Sequence, residues 1–165
     1  MSVHTIKYSI YFIFIVQFFT GAALAGSDSE KIQTILASDK APSGVVFEIA
    51  MADPDALRWA IPRIKQYAVS LRKKFPNLEL AVVTHGREQF ALQKGVSAKY
   101  RKVQKQVEQL SKSDDIPVHV CQTFAAWNDV EPEDFPEYIT VSATGPQQVN
   151  DYLSLGYTLI KIRGQ

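Results

Sequence analysis

Five short apolar runs alternate with amphipathic stretches along most of the chain. The runs cover residues 44–50, 78–84, 116–121, 138–143 and 157–162. Nearly continuous apolar runs of this length are typical of strands that are covered on both faces. The intervening stretches with apolar residues at helical spacing are 56–75, 96–111 and 147–155, and residues 123–127 have the composition of a short helix. This alternation predicts a three-layer α/β/α sandwich with a mainly parallel five-stranded sheet.

The first long helix has two signals of a helix start, and it has one proline in its interior that disfavours a helix. Asp53 precedes Pro54, and we expect Asp53 to cap the helix with the proline in its first turn. Asp53 and Asp55 together offer cation ligands, but capping is the favoured interpretation for two carboxylates at a helix entry. Pro62 lies inside the same pattern, so we expect it to kink or restart the helix.

The first 25 residues predict a secretory signal rather than part of the fold. His4 and Lys7 precede an apolar core at 8–19, and Ala23-Leu24-Ala25 before Gly26 fits a cleavage site. An apolar core of about 12 residues is short for a bilayer span, so an uncleaved anchor is the alternative. We therefore divide the chain into a signal (1–25), a tail with a turn or two of helix (26–43) and an α/β domain (44–165), and expect a periplasmic or secreted protein.

The charge balance and the single cysteine exclude several kinds of partner and of covalent cross-link. The chain has 18 Lys and Arg against 17 Asp and Glu, and removal of the signal takes away Lys7, which leaves 17 of each sign. This balance indicates neither a nucleic-acid partner nor a membrane partner after signal cleavage. The single cysteine cannot form an internal disulfide, and an unpaired thiol in an oxidising compartment is oxidised unless it is buried or chemically employed.

The single cysteine, Cys121, falls where the third apolar run meets the short helix. In open α/β sheets the carboxyl ends of the strands form the ligand-binding edge, and N–H groups at a helix start stabilise a thiolate. Cys121 is therefore the candidate catalytic residue, with a small buried packing residue as the alternative. His119 alternates with Val118 and Val120, so we expect it to face the other way and to be structural. Phosphate-binding, cofactor and metal signatures are absent from the sequence, and we expect no cofactor and no metal.

Four short motifs follow one another between residues 44 and 162: 45–47 (VVF), 82–86 (VVTHG), 118–121 (VHVC) with Thr123, and 155–160 (LGYTLI). In these motifs and their order the chain resembles the DsrE/DsrF-like family of small α/β proteins, which includes subunits of sulfur-relay complexes. The resemblance implies that Cys121 carries sulfane sulfur as a persulfide and that the protein forms a homo-oligomer, a trimer or a hexamer. Its partners would be a sulfur donor or acceptor protein or a small thiol.

The resemblance also implies a strand order of 4-3-2-1-5, which periodicity alone does not choose over the flavodoxin-like order. That order places His85, at the end of the second strand, beside Cys121. His85 is therefore a second, weaker candidate, a polar or proton-transfer neighbour whose alternative is a backbone hydrogen bond in the turn before Gly86. Two functions stay open: a sulfur carrier or sulfurtransferase that uses Cys121, and a non-catalytic oligomeric binding module with a structural cysteine.

Overall fold

The computed structural model describes residues 27–164. The predicted signal, residues 1–25, lies outside the described residues. Within the described part of the chain, no helix is long and apolar enough to cross a membrane.

The five predicted strands form one sheet in which every neighbouring pair is parallel. The strands are β1 (Val45–Ile49), β2 (Leu80–Thr84), β3 (Val118–Cys121), β4 (Thr140–Ser142) and β5 (Thr158–Lys161). They lie in the order β4-β3-β2-β1-β5, the order implied by the resemblance, and not in the flavodoxin-like alternative. The predicted α/β class and parallel sheet are confirmed.

Helices cover both faces of the sheet, which makes the three layers. The α-helices are α1 (Asp28–Ala37), α2 (Leu57–Lys74), α3 (Arg101–Lys112), α4 (Gln122–Ala126) and α5 (Gly145–Ser154), with 3-10 turns at Arg87–Leu92, Ala98–Tyr100 and Pro132–Asp134. The larger core lies between the sheet and α1, α2 and α3. On the opposite face, Val149 of α5 packs against Val46, Ala81 and Val83. We call this second surface of the sheet the α5 face.

The structure corrects two local predictions about α2: Pro62 does not restart the helix, and Asp53 does not cap it. The helix runs unbroken through Pro62. The proline forfeits only the bond to the carbonyl of the exposed Arg58, which water can solvate, while Ile61 and Ile64 beside it are fully buried. Asp53 does not cap α2: its carboxylate accepts the backbone N–H of Asp55 at 2.9 Å, and the helix begins at Leu57 without a side-chain cap.

Other boundaries differ less. The segment ahead of β1 forms the ten-residue helix α1, longer than the turn or two expected, and it buries Ile32 and Ile35 in the larger core. The predicted helix at 96–111 begins as a 3-10 turn before α3. Asp55 pairs with Lys99 at 2.9 Å. Among residues 27–164, no group of three or more His, Cys, Asp or Glu side chains is placed to hold a metal ion.

Candidate functional site

Cys121 is the last residue of β3 and the N-cap of α4, as the sequence predicted. Its Sγ accepts the backbone N–H of Phe124 at 3.4 Å. Since α4 has only five residues, this local N–H group, rather than a helix macrodipole, is what a thiolate would meet. The residue is only 4% exposed. The site therefore supplies a hydrogen-bond donor to sulfur together with tight enclosure.

A fully buried glutamine holds the backbone of Cys121 from the side of β2. Gln89 Oε1 accepts the Cys121 N–H at 2.8 Å, and Gln89 Nε2 donates to the Cys121 carbonyl at 3.4 Å. β2 ends at Thr84, which pairs with Val120, so Gln89 bonds Cys121 just beyond the last residue pair of the two strands. The sequence analysis missed this residue because a glutamine in a connecting segment carries no periodic signal.

The segment that carries Gln89 is fixed by a second buried polar side chain. The Glu88 carboxylate accepts three bonds, from the Thr84 hydroxyl at 2.6 Å, Gly86 N–H at 2.9 Å and Met51 N–H at 2.8 Å. It thereby ties the 3-10 turn to the ends of β1 and β2. Gly86 is required by the close approach, because a Cβ there would lie 2.3 Å from Glu88 Oε2 and 2.4 Å from the Met51 backbone.

His85 follows β2 at the carboxyl edge of the sheet, and its ring does not bond the turn backbone. His85 Nε2 lies 3.0 Å from Glu48 Oε1, and Glu48 Oε2 lies 3.2 Å from Lys161 Nζ. The hydrogen bond from His85 lowers the pKa of Glu48; burial opposes it, and Lys161 adds to the lowering. The start of α5 covers the histidine, since a Cβ on Gly145 would lie 2.3 Å from His85 Cβ.

Strand register relates His85 to Cys121. Thr84 pairs with Val120, so the next residues, His85 and Cys121, are neighbours across the end of the β2–β3 pair. Side chains alternate between faces along a strand. His85 and Cys121 therefore both belong to the α5 face, and the structure brings the two predicted site residues to one edge and one face.

His119 lies on the same face, two residues before Cys121 on β3, and both of its ring nitrogens have hydrogen-bond partners. Its Nδ1 lies 3.0 Å from Ser142 Oγ and its Nε2 lies 2.9 Å from the Tyr152 hydroxyl. Burial lowers the pKa of His119 to about 4. A neutral imidazole with both nitrogens occupied agrees with the structural role expected from strand alternation.

Three aromatic rings lie around α4, next to Cys121. Phe90 stacks on Phe124 with ring centroids 5.7 Å apart, and Phe124 meets Trp127 edge-on at 6.4 Å. Trp127 is 76% exposed, so within a single chain it is not a core residue. We call Phe90, Phe124 and Trp127 the aromatic cluster.

Comparisons with known proteins identify the fold and go no further. No family model matches the chain, and no curated protein matches it. Among solved structures, MTH1491 from Methanobacterium thermoautotrophicum, a protein of unknown function, aligns with a TM-score of 0.57 and 16% identity over 71% of this chain and 96% of its own. BT1422 from Bacteroides thetaiotaomicron, also of unknown function, gives 0.52 and 16% over 71% and 94%.

A third structure, the ychN protein from E. coli, gives a TM-score of 0.50 and 17% identity over 72% of this chain and 99% of its own. All three are thus covered nearly end to end by this chain. At these identities the likeness shows a shared α/β fold, and the chemistry has to be argued from the residues of this chain.

A cavity of about 590 Å³ opens at the opposite, amino-terminal edge of the sheet. The polar side chains that line this cavity already form hydrogen bonds with other groups of its wall. Arg72 donates to the carbonyls of Leu78, Asp114 and Asp115, and the Tyr157 hydroxyl donates to Glu79. We therefore take the carboxyl edge, where Cys121, His85 and Glu48 lie, as the candidate site rather than this cavity, because parallel sheets bind their ligands at the carboxyl edge.

Proposed function

We propose that the protein is an exported sulfur carrier of the DsrE/DsrF-like type, with Cys121 as the residue that holds persulfide sulfur. The observation that carries this proposal is the placement of the Cys121 thiol. It lies at the carboxyl edge of a parallel sheet, receives an N–H group from Phe124, and belongs to the same face as His85. The thiolate is the nucleophilic form of cysteine, and a backbone N–H group is a hydrogen-bond donor that a thiolate can accept from.

The transfer step exchanges one sulfur–sulfur bond for another. The Cys121 thiolate attacks the outer sulfur of a donor persulfide, R–S–SH, and a bond forms between Sγ and that sulfur. The donor S–S bond breaks, and RS⁻ leaves with its electron pair and takes up the proton released by Cys121. Thiol and persulfide thus become persulfide and thiol, with no external oxidant or reductant. A second thiol removes the sulfur by the same exchange.

The enclosure of Cys121 limits the donors that fit. Because the residue is 4% exposed, an approaching group must be slender, as a persulfide chain or a small inorganic polysulfide is. The same burial favours the second candidate function, an oligomeric binding module in which Cys121 only fills the end of β3. Reactivity in the folded state separates the two functions.

The experiment compares thiol reactivity before and after unfolding. We expect folded, reduced protein to be alkylated by a small reagent such as iodoacetamide, and to gain sulfur mass after exposure to polysulfide. Cys121→Ser should gain none while it keeps the wild-type circular dichroism spectrum. Alkylation that begins only when urea unfolds the protein, with no added sulfur, would leave the binding-module function in its place.

We further propose that the protein assembles as a trimer or hexamer. Trp127, Val69 and Leu155 are large apolar side chains that a single chain leaves mostly exposed, at 76%, 70% and 67%. Exposed aromatic residues are enriched at interfaces between subunits. Light scattering at micromolar concentration should give three or six chain masses, and Trp127→Ser should lower that number if the aromatic cluster lies in an interface. A mass equal to that of one chain would refute the proposal.

A further inference from the structure

We propose that Glu48 is a positioning residue that orients His85 toward Cys121, so that His85 accepts the thiol proton and then stands as a cation beside the thiolate. This inference rests on the proposed sulfur-carrier function. It concerns the row of side chains Lys161, Glu48 and His85, which crosses three neighbouring strands on the α5 face.

The row is a continuous chain of charged contacts in a sheltered place. Lys161 is paired in register with Glu48 between β5 and β1, and their charged groups lie 3.2 Å apart. Glu48 in turn meets His85 at 3.0 Å. The Glu48 and His85 side chains are only 13% and 16% exposed. Ionic contacts are stronger in such shelter than on an open surface.

Sheet geometry extends the row to Cys121. Adjacent strands lie about 4.8 Å apart, and register-paired residues project to the same face. His85 and Cys121 are the residues that directly follow the register pair Thr84–Val120, while Glu48 on β1 pairs with Val83 and so reaches His85 diagonally. The histidine thus lies between a carboxylate and a thiol, and Gly145 at the start of α5 covers it.

The contact with Glu48 assigns the two ring nitrogens. A carboxylate only accepts hydrogen bonds, so in the neutral ring Nε2 carries the proton and Nδ1 has the free lone pair. That lone pair can take the thiol proton, and Glu48 then balances the charge of the imidazolium. This is the arrangement in which a base is oriented by a third group. Lys161 keeps Glu48 ionised, and its hydrogen bond adds to the lowering of the Glu48 pKa that His85 causes.

The other charged groups near His85 do not compete for it. Glu88 is turned to the Thr84 hydroxyl and to the N–H groups of Gly86 and Met51. Asp151, the acidic residue of α5, accepts from Gln147 on the exposed side of that helix. Ser142 of β4, beside Cys121, is uncharged and bonds His119 and Gln148. Glu48 is therefore the carboxylate that governs His85.

The test is the pH dependence of iodoacetamide alkylation of Cys121 in full-length folded protein. Glu48→Gln should lower the rate at pH 7 about threefold to tenfold and restore it above pH 9, where any thiol ionises. Glu108→Gln is the matched control, since it removes a carboxylate paired with Lys112 at 2.9 Å on the surface of α3. In a His85→Gln background, Glu48→Gln should change the rate no further.

The outcomes separate this inference from the proposed function. If wild-type Cys121 neither reacts nor takes up sulfur, the sulfur-carrier function falls. If Cys121 reacts and the Glu48→Gln profile matches wild type, or if the loss persists in the His85→Gln background, the positioning role is refuted. ¹⁵N NMR of the wild-type protein gives a check that needs no variant: neutral His85 must carry its proton on Nε2, and a proton on Nδ1 overturns the proposal.

Discussion

The Gln89 side chain offers the sharpest quantitative prediction. We consider Gln89→Met, which keeps the length and approximate volume of the side chain and removes both polar atoms. Gln89 is fully buried, so water cannot replace the lost partners. The backbone N–H of Cys121, now bonded at 2.8 Å, and its carbonyl, bonded at 3.4 Å, would both lose their contacts with this side chain.

The expected loss of stability in Gln89→Met follows from the lengths of these two hydrogen bonds. A buried donor left without a partner costs about 1–3 kcal/mol, and the long bond to the carbonyl adds little. We therefore expect Gln89→Met to lower the free energy of unfolding by about 2 kcal/mol, and the melting temperature by about 6–10 °C for a domain of this size. Gln109→Met is the control, because Gln109 is exposed on α3 and should change stability by less than about 0.5 kcal/mol.

Urea denaturation followed by circular dichroism measures both variants. A second variant, Gln89→Glu, sharpens the result: it puts an acceptor against the Cys121 carbonyl and a charge into the core. The folded state then favours the protonated acid, so this variant should lose stability as pH rises from 4 to 7. Equal stability of Gln89→Met and Gln109→Met would refute the view that the Gln89 side chain stabilises the fold through its bonds to the Cys121 backbone.

Two further predictions concern His119 and the amino terminus. Burial lowers the pKa of His119 to about 4 from an ordinary value of 6.5, so the unfolded chain binds a proton first. Stability should therefore fall as pH drops from 6.5 to 4, by about 2–3 kcal/mol for this residue, and His119→Gln should flatten that part of a urea–pH profile; an unchanged slope would contradict the assignment. Export with cleavage after Ala25 should give an intact mass that begins at Gly26, whereas full-length chain in the membrane pellet would indicate the anchor.

The sheet could be predicted from the sequence because its signals are local and repeated. Each strand is a short apolar run, and each long helix has an apolar stripe, so element type follows from periodicity. Cys121 could be found for the same reason, as the residue at which one pattern gives way to the other. The continuity of α2 through Pro62 could not be predicted, because propensity is a local quantity, while the burial of Ile61 and Ile64 is a tertiary one.

The polar contacts of the site could not be predicted in this way. Glu88 and Gln89 belong to a connecting segment, and their partners are Met51, Thr84 and Cys121. Such pairings depend on strand order and on where each strand stops. Glu48 carries no signal in the sequence, because it is a single polar position in an apolar strand and its partner His85 lies 37 residues away.

The α5 face carries an argument about function that packing alone does not account for. Near its carboxyl end, a sheet whose central strands are mainly apolar places Glu48, His85 and His119 on one face. Buried polar groups cost free energy unless each is paired, and apolar replacements of similar volume are often equally stable. Every one of these three side chains has a partner within 3.2 Å, although Glu48 Oε2 has only the ion pair with Lys161 and no hydrogen bond. A sheet that needed only to be stable would not require Glu48 and His85, and their place at the edge that also holds Cys121 supports the proposed function of that edge.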